Sequence, residues 1–151
     1  MLVETYDEAE YVVFCAGLKP EIVQGVRNIY ENTVPNVYVH EFVDDIVEPW
    51  KKSEECVKLL NLTLHVIHEA DVIILSYDNG DYQNVSCLMG TVDSSNKTGV
   101  TTNVIIFDHY EKSEPVMKAY AEVNEFTYCD THYSLYITLL TDARKLGMVQ
   151  E

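Results

Sequence analysis

The sequence has 151 residues, of which 47% are hydrophobic, and its 25 acidic and 10 basic residues give a formal net charge of −15 at pH 7. A chain of this length and hydrophobic content can bury the core of one domain, so we expect a single domain over residues 1–151. The negative charge repels nucleic acids and anionic lipids, which argues against direct binding to DNA, RNA or membranes.

The sequence also predicts the cellular compartment of the protein. No stretch approaches the roughly 18 to 20 apolar residues that span a bilayer, and the first residues, MLVETYDEAE, carry acids where a signal peptide carries Lys or Arg. The four cysteines form no CxxC pair, which fits neither a zinc module nor the disulfide scaffold of a small secreted domain. We therefore expect a soluble, cytoplasmic protein with reduced thiols.

The first half of the chain alternates between predicted strands and helices. The run YVVFCA at residues 11–16 is continuously apolar and rich in β-branched and aromatic residues, which is typical of a strand covered on both faces. Apolar residues at helical spacing after a proline predict a helix over about residues 20–31. The next patterns predict a strand at 37–42, a helix at about 51–69 and a buried strand, VIILS, at 72–76.

The second half continues the alternation. The expected elements are a short helix at about 84–96, a strand at 104–107, a helix at about 113–123, a short strand at about 126–129 and a helix at about 132–146. Lys145 and Gly147 favour an end to the last helix there. Because parallel strands need crossover connections, this alternation predicts one α/β domain with a mainly parallel, five-stranded sheet and helices on both faces.

In sheets of this kind, ligands bind outside the carboxyl ends of the strands, where the strand order reverses. The loops that follow the first and third strands, which begin at Cys15 and Ser76, are therefore the expected ligand site. Gly17 is a single glycine, with no GxGxxG fingerprint and no GK[ST] phosphate loop in the sequence, so we expect no cofactor. Any phosphate would have to be held by helix N-terminal amides and by Lys19.

Three stretches carry a family resemblance: YVVFCAGL at 11–18, LNLTLHVIHEADVIILSYDNG at 60–80 and SCLMGTVDSSNKTGVTTNVIIF at 86–107. They resemble the first strand and turn, the helix and Asp-initiated strand, and the following loop, helix and strand of nucleoside 2-deoxyribosyltransferases and related deoxynucleoside 5′-monophosphate N-glycosidases. The resemblance implies a flavodoxin-like domain that binds a nucleoside or nucleotide and, in active members, cleaves the N-glycosidic bond. It also implies a homo-oligomer, because family members commonly complete their sites across a subunit interface.

Two positions depart from the family pattern. Active members use a Glu nucleophile two residues before a Gly that matches Gly90, and Leu88 occupies that position here. They also place an Asp eight residues before the Asp that matches Asp71, and Thr63 stands there. A carboxylate is needed because it forms and then releases a glycosyl ester while positive charge develops on the sugar. Leucine cannot do this.

The turn after the third strand holds the local carboxylates that could replace the nucleophile, Asp78 and Asp81. The alternative is ordinary turn chemistry, since Asp, Asn and Gly accept positive φ and cap helices. Tyr77 and Tyr82 flank this turn and could stack on a base, or could instead pack the loop or a subunit interface. The remaining candidate ligand-binding residues are Cys15, Gly17, Asn79, Gly80, Ser86 and Gly90.

Two further groups of polar residues are weaker candidates. His65 and His68 stand three apart on a predicted helix, but helix spacing alone supplies no third ligand, so we predict no metal site. Cys129, Asp130 and His132 lie within four residues. Neighbours in sequence rarely form a catalytic triad, and a strand end followed by a helix cap at Asp130 or Thr131 accounts for them more simply.

The sequence leaves three functions open. In the first hypothesis, the chain is a nucleoside 2-deoxyribosyltransferase-like protein that binds a nucleoside or nucleotide. A relocated carboxylate would then let it cleave the ligand or transfer its deoxyribose. Alternatively, it is a non-catalytic relative that binds or sequesters a nucleotide-derived ligand. In the third hypothesis, the acidic surface binds a basic protein partner by imitating DNA, and the α/β core is only a scaffold.

Overall fold

A computed structural model describes residues 2–42, 53–80, 82–96 and 103–150. The strands are β1 (Tyr11–Ala16), β2 (Val37–Phe42), β3 (Val72–Ser76), β4 (Asn103–Phe107) and β5 (Thr127–Cys129). The α-helices are α1 (Pro20–Thr33), α2 (Ser53–Glu69), α3 (Tyr82–Asn96), α4 (Pro115–Asn124) and α5 (His132–Gln150). Two short 3₁₀ helices, at Tyr6–Glu8 and Tyr110–Lys112, were not predicted from the sequence.

All five strands lie in one parallel sheet, in the order β2-β1-β3-β4-β5. The central pairing of β1 with β3 places Cys15 opposite Ile74. The predicted α/β class and five-stranded sheet are confirmed, and the fold is flavodoxin-like. None of the helices in the described part of the chain is long and apolar enough to cross a membrane.

The sheet separates two hydrophobic cores, because successive side chains of a strand point to opposite faces. On one face, Val13 and Cys15 of β1 pack with the apolar residues of α1 and α5. On the other face, Val12, Phe14 and Ala16 pack with residues of α2, α3 and α4. Every residue of β1 and β3 is buried, which is why both strands read as uninterrupted apolar runs in the sequence.

The ends of the helices differ from the predictions by a few residues. The largest difference is in α5, which continues to Gln150, past the end expected at Lys145 and Gly147. A glycine ends a helix when it takes a positive φ. Among the described residues, the glycines with positive φ are Gly17 and Gly80, and Gly147 continues the helix. The first predicted residues of α2, 51–52, lie outside the described residues.

Gly17 brings the ends of β1 and β3 into close contact. Its φ is +81°, and a Cβ added to it would lie 1.6 Å from the carbonyl oxygen of Ser76. Its own carbonyl oxygen accepts a hydrogen bond of 2.8 Å from the backbone N–H of Asn79. Only glycine combines this φ with this close approach of two backbones. The two loops that follow β1 and β3 are thereby held against each other.

We predict that Gly17→Ala destabilises the protein far more than Gly80→Ala. Gly80 also has a positive φ, of +86°, but a Cβ there would meet nothing within 4 Å. Gly80→Ala should therefore cost only the backbone strain, about 1 kcal/mol. Gly17→Ala adds a steric overlap that must move one strand end, so we expect a loss of about 3 kcal/mol or more. Urea unfolding measures both, and equal losses would contradict the contact.

Candidate functional site

The candidate site lies where the strand order of the sheet reverses. In the sheet, β2 lies on one side of β1, and β3, β4 and β5 follow in that order on its other side. In folds of this type, the ligand-binding crevice lies at this point of reversal, outside the carboxyl ends of the two central strands, which are β1 and β3 here. The expectation that the first and third strands are neighbours is confirmed by their pairing.

Asp78 lies two residues after the end of β3 at this edge, and its side chain is buried. The residue is 7% exposed, and its backbone N–H donates a 3.0 Å hydrogen bond to Ser76 Oγ. Its Oδ2 atom is buried and has no hydrogen-bond partner among the described residues. Buried polar atoms in folded proteins nearly always have a partner, so this oxygen makes Asp78 a candidate ligand-binding residue.

Asp108, the first residue after β4, is also buried and shows the opposite behaviour. It is 4% exposed and accepts hydrogen bonds from Ser113 Oγ (2.9 Å), the Glu114 backbone N–H (2.9 Å) and Tyr128 Oη (2.6 Å). Burial, together with the hydrogen bond to Asp108, raises the pKa of the Tyr128 phenol to about 12. The carboxylate of Asp108 therefore holds the β4–α4 loop, whereas Oδ2 of Asp78 has no donor among the described residues.

The two tyrosines of the β3–α3 loop are placed differently from each other. Tyr77 is buried, and its hydroxyl contacts Ser86 Oγ at 2.5 Å and Met89 Sδ at 3.5 Å, so it packs beneath α3. Its ring lies against that of Tyr82, with 4.9 Å between the ring centroids. Tyr82 is 48% exposed. Stacking on a base stays a prediction, and Tyr82 is the ring with the surface available for it.

Glu114 is a site residue that sequence reasoning missed. It immediately precedes α4, and its Oε1 accepts a 3.3 Å hydrogen bond from the hydroxyl of Tyr82. The negative charge of Glu114 raises the pKa of the Tyr82 phenol. The two residues are 32 positions apart in the chain. Only the adjacency of β3 and β4 in the sheet, which brings their carboxyl ends together, could have indicated this contact.

The remaining candidate ligand-binding residues lie at the same edge or on α3. Cys15 is fully buried in the core between the sheet, α1 and α5, and burial raises the pKa of its thiol to about 12. It is therefore an uncharged core thiol at neutral pH. Asn79, Gly80 and Gly90 are exposed, and the hydroxyl of Ser86 is in contact with Tyr77. Asp81 lies outside the described residues.

The two positions that match the family's acids are both in the interior. Leu88 is 5% exposed and packs in the core that α2, α3 and α4 form on the sheet. Thr63, on α2, is 4% exposed. A carboxylate at either place would be buried and would need a charged or hydrogen-bonded partner to be tolerated. The apolar residue at 88 is consistent with a structural role for this part of α3.

The histidines do not assemble into a metal site within the described ranges. His65 and His68 are exposed on α2, and no group of three His, Cys, Asp or Glu residues that could hold a metal ion occurs among the residues described. The ring of His132 lies beside that of His109 at the carboxyl edge of the sheet, with 4.8 Å between the ring centroids and an angle of 36° between the ring planes.

The residues after β5 have a structural role. Thr131 Oγ1 accepts a 3.0 Å hydrogen bond from the backbone N–H of Ser134, which is the geometry of a helix cap at the start of α5. The Cys129 thiol lies 3.7 Å from the hydroxyl of Thr138. The interpretation of this segment as a strand end followed by a helix cap is confirmed.

We predict opposite effects on stability for the two buried aspartates. Asp78→Ala removes an unpaired buried carboxylate, so the ligand-free variant should be about 1 kcal/mol more stable than the natural protein. Asp108→Ala leaves three donors without an acceptor and should be less stable by about 3 kcal/mol. Urea unfolding of ligand-free protein tests both. If Asp78→Ala were as damaging as Asp108→Ala, Asp78 would have a structural partner.

Comparisons with known proteins add no assignment. No protein-family model and no curated protein sequence matches the chain. The function is therefore inferred from the position of the crevice in the sheet and from the side chains that line it.

Proposed function

We propose that the chain binds a nucleoside or nucleotide in the crevice at the carboxyl ends of β1 and β3. The observation that carries this proposal is the buried, unpaired Oδ2 of Asp78. A carboxylate without a donor in the protein is a costly group to bury, and such groups persist where they serve a ligand.

The ligand chemistry depends on the groups that a carboxylate can recognise. An ionised Asp is only an acceptor, so its partner must carry a hydroxyl or N–H donor. The sugar hydroxyls and the N–H groups of a nucleoside provide these donors, and hydrogen bonds to a charged acceptor are the stronger ones. The exposed ring of Tyr82 lies against the ring of Tyr77, the residue before Asp78, and offers a flat surface for a base.

The proposal is binding without transfer of deoxyribose. In the resembled family the nucleophile is a Glu, and the matching position holds Leu88, which is packed in the core. Asp78 would be the replacement nucleophile if turnover occurred, but its burial suits an acceptor for a bound ligand better than a group that must form and release an ester. Binding alone accounts for a buried, unpaired carboxylate at Asp78 and for an apolar residue at Leu88.

We predict that deoxynucleosides stabilise the protein against heat and that Asp78→Asn abolishes this effect. A ligand at about one hundred times its dissociation constant should add about 2.7 kcal/mol of stability. Loss of the charged acceptor should weaken binding by about tenfold or more. Thermal unfolding with each deoxynucleoside and deoxynucleotide measures this, and Asp130→Asn, a neutralised and exposed aspartate at the same edge, is the matched control. No stabilisation by any of them would refute the proposal.

Turnover is tested on the same samples. The mixtures are incubated with an added foreign base and analysed by mass spectrometry, and we expect every deoxynucleoside to stay intact. Release or exchange of a base that Asp78→Asn abolishes would instead make the protein an enzyme with a relocated carboxylate.

A further inference from the structure

We propose that the outer edge of β2 binds an extended, basic segment of another protein, which adds to the sheet as a further strand. This surface shares no residue with the proposed nucleoside site and does not depend on the proposed function. Three observations support the proposal: the outward-facing backbone groups of β2, the two cavities that flank them, and the acidic side chains that line the cavities.

The backbone groups of every second residue in β2 face away from β1. β2 is the outermost strand of the described sheet and has β1 on one side only. The carbonyl oxygen of Val37 accepts a 2.8 Å hydrogen bond from the backbone N–H of Val3, so it points away from β1. Since the backbone groups of a strand alternate between its two sides, those of Val39 and Glu41 also point outward.

The first described residues of the chain show that this edge accepts another strand. Leu2 forms a parallel bridge with Val37, and Val3 supplies the hydrogen bond. Within the described ranges, this bridge is the only strand pairing on the outer side of β2. An edge with unpaired N–H and C=O groups is the surface to which an extended peptide adds.

Two open cavities flank this edge, one on each face of the sheet, and each has a volume of about 590 Å³. The α1-side cavity is lined by Arg27 of α1 and by Val39 and Glu41 of β2. The α2-side cavity is lined by Leu62 of α2 and by Tyr38 of β2. Successive side chains of an added strand point to opposite faces, so alternate side chains would enter each cavity.

The charges around the cavities favour a basic segment. Glu4 lines both cavities, Glu41 lines the α1-side cavity and Asp7 lines the α2-side cavity. The guanidinium of Arg27 lies 3.7 Å from the carboxylate of Glu41, so its charge is already paired. Burial, together with the charge of Arg27, lowers the pKa of His40 in the α1-side cavity. The imidazole of His40 therefore adds no positive charge at neutral pH.

The lining also indicates which side chains the segment carries. In the α2-side cavity, a lysine or arginine can lay its apolar stem against Leu62 and place its charge near Glu4 and Asp7. In the α1-side cavity, Val3 and Val39 offer apolar surface. β-branched side chains suit that surface and favour an extended backbone. We therefore expect a segment in which basic and β-branched residues alternate.

A second copy of this chain is the other strand that could pair with the edge. Each copy carries a net charge of −15. Pairing of two β2 strands would also bring together the carboxylates of Glu4 and Glu41 from both copies. Like charges at such an interface repel, so the charge of the edge favours a basic partner over a second copy.

The test measures binding of a synthetic peptide to the full chain by fluorescence anisotropy. The probe is a dye-labelled peptide of four Val-Lys repeats, and the control peptide has four Val-Glu repeats. We expect saturable binding of the lysine peptide and none of the glutamate peptide. Raising the salt concentration from about 0.05 M to about 0.5 M should weaken binding severalfold.

Two further probes separate strand addition from attraction between charges. One carries N-methyl groups on every valine and the other on every lysine, so each lacks the backbone donors of one edge. An added strand pairs with β2 through one edge only. One methylated peptide should therefore bind about tenfold or more weakly, and the other should bind like the unmodified peptide.

On the protein side, Glu41→Pro is compared with its matched control, Glu41→Ala. Both substitutions remove the charge of Glu41, and only proline removes the outward N–H, which β1 does not use. We expect Glu41→Pro to bind the lysine peptide about tenfold more weakly than Glu41→Ala. Circular dichroism checks the fold of both variants. If Glu41→Pro does not fold, the methylated peptides decide the question on the natural protein.

Three outcomes would overturn the proposal. The first is no saturable binding of the lysine peptide up to about 1 mM. The second is equal binding of the two methylated peptides, which would show that the peptide is held by charge alone. The third comes from sedimentation of the protein without peptide: a dimer that Glu41→Pro dissociates and Glu41→Ala does not would assign the edge to a second copy.

Discussion

The pairing of β1 with β3 is the constraint on which the site depends. Both strands are buried on both faces, so neither can carry a charged side chain along its length, and polar chemistry begins only where the strands end. At that point the backbone of Gly17 lies so close to Ser76 that no side chain fits between them. The two loops therefore leave the sheet close together, and Asp78, two residues after Ser76, is buried.

The two buried aspartates that follow β3 and β4 differ in the hydrogen bonds that their loops supply. Asp108 gains three donors because the β4–α4 loop turns back on it before α4 begins. After β3, the backbone N–H of Asp78 donates to Ser76 Oγ, but no donor among the described residues reaches Oδ2, so burial of this oxygen is not compensated there. A fold gains nothing in stability from such a group. The contrast assigns Asp108 to the structure of the loop and leaves the burial of Asp78 without a structural reason among the described residues.

Much of the fold could be predicted from the sequence because short apolar or alternating runs such as VIILS and VYVHEF, bounded by turn residues, are typical of strands. The end of α5 could not be predicted, since Gly147 would end a helix only with a positive φ, and the residues after it continue the helix instead. Asp78 could be chosen as a site residue from its place after a strand, but its unpaired state depends on neighbours from other elements. Glu114 could not be predicted as a site residue, because sequence patterns do not reveal that its side chain contacts Tyr82.

The acidic surface and the crevice support different functions, and their energetics distinguish them. A protein that imitates DNA needs only exposed charges, which cost little to keep in water and can sit on any scaffold. The carboxylate of Asp78 is 7% exposed, and its Oδ2 is unpaired among the described residues. Such a group lowers the stability of the fold and cannot contact the surface of a protein partner. The scaffold hypothesis therefore gives no reason for the buried oxygen of Asp78. A small ligand that carries its own hydroxyl or N–H donor into the crevice supplies that reason directly.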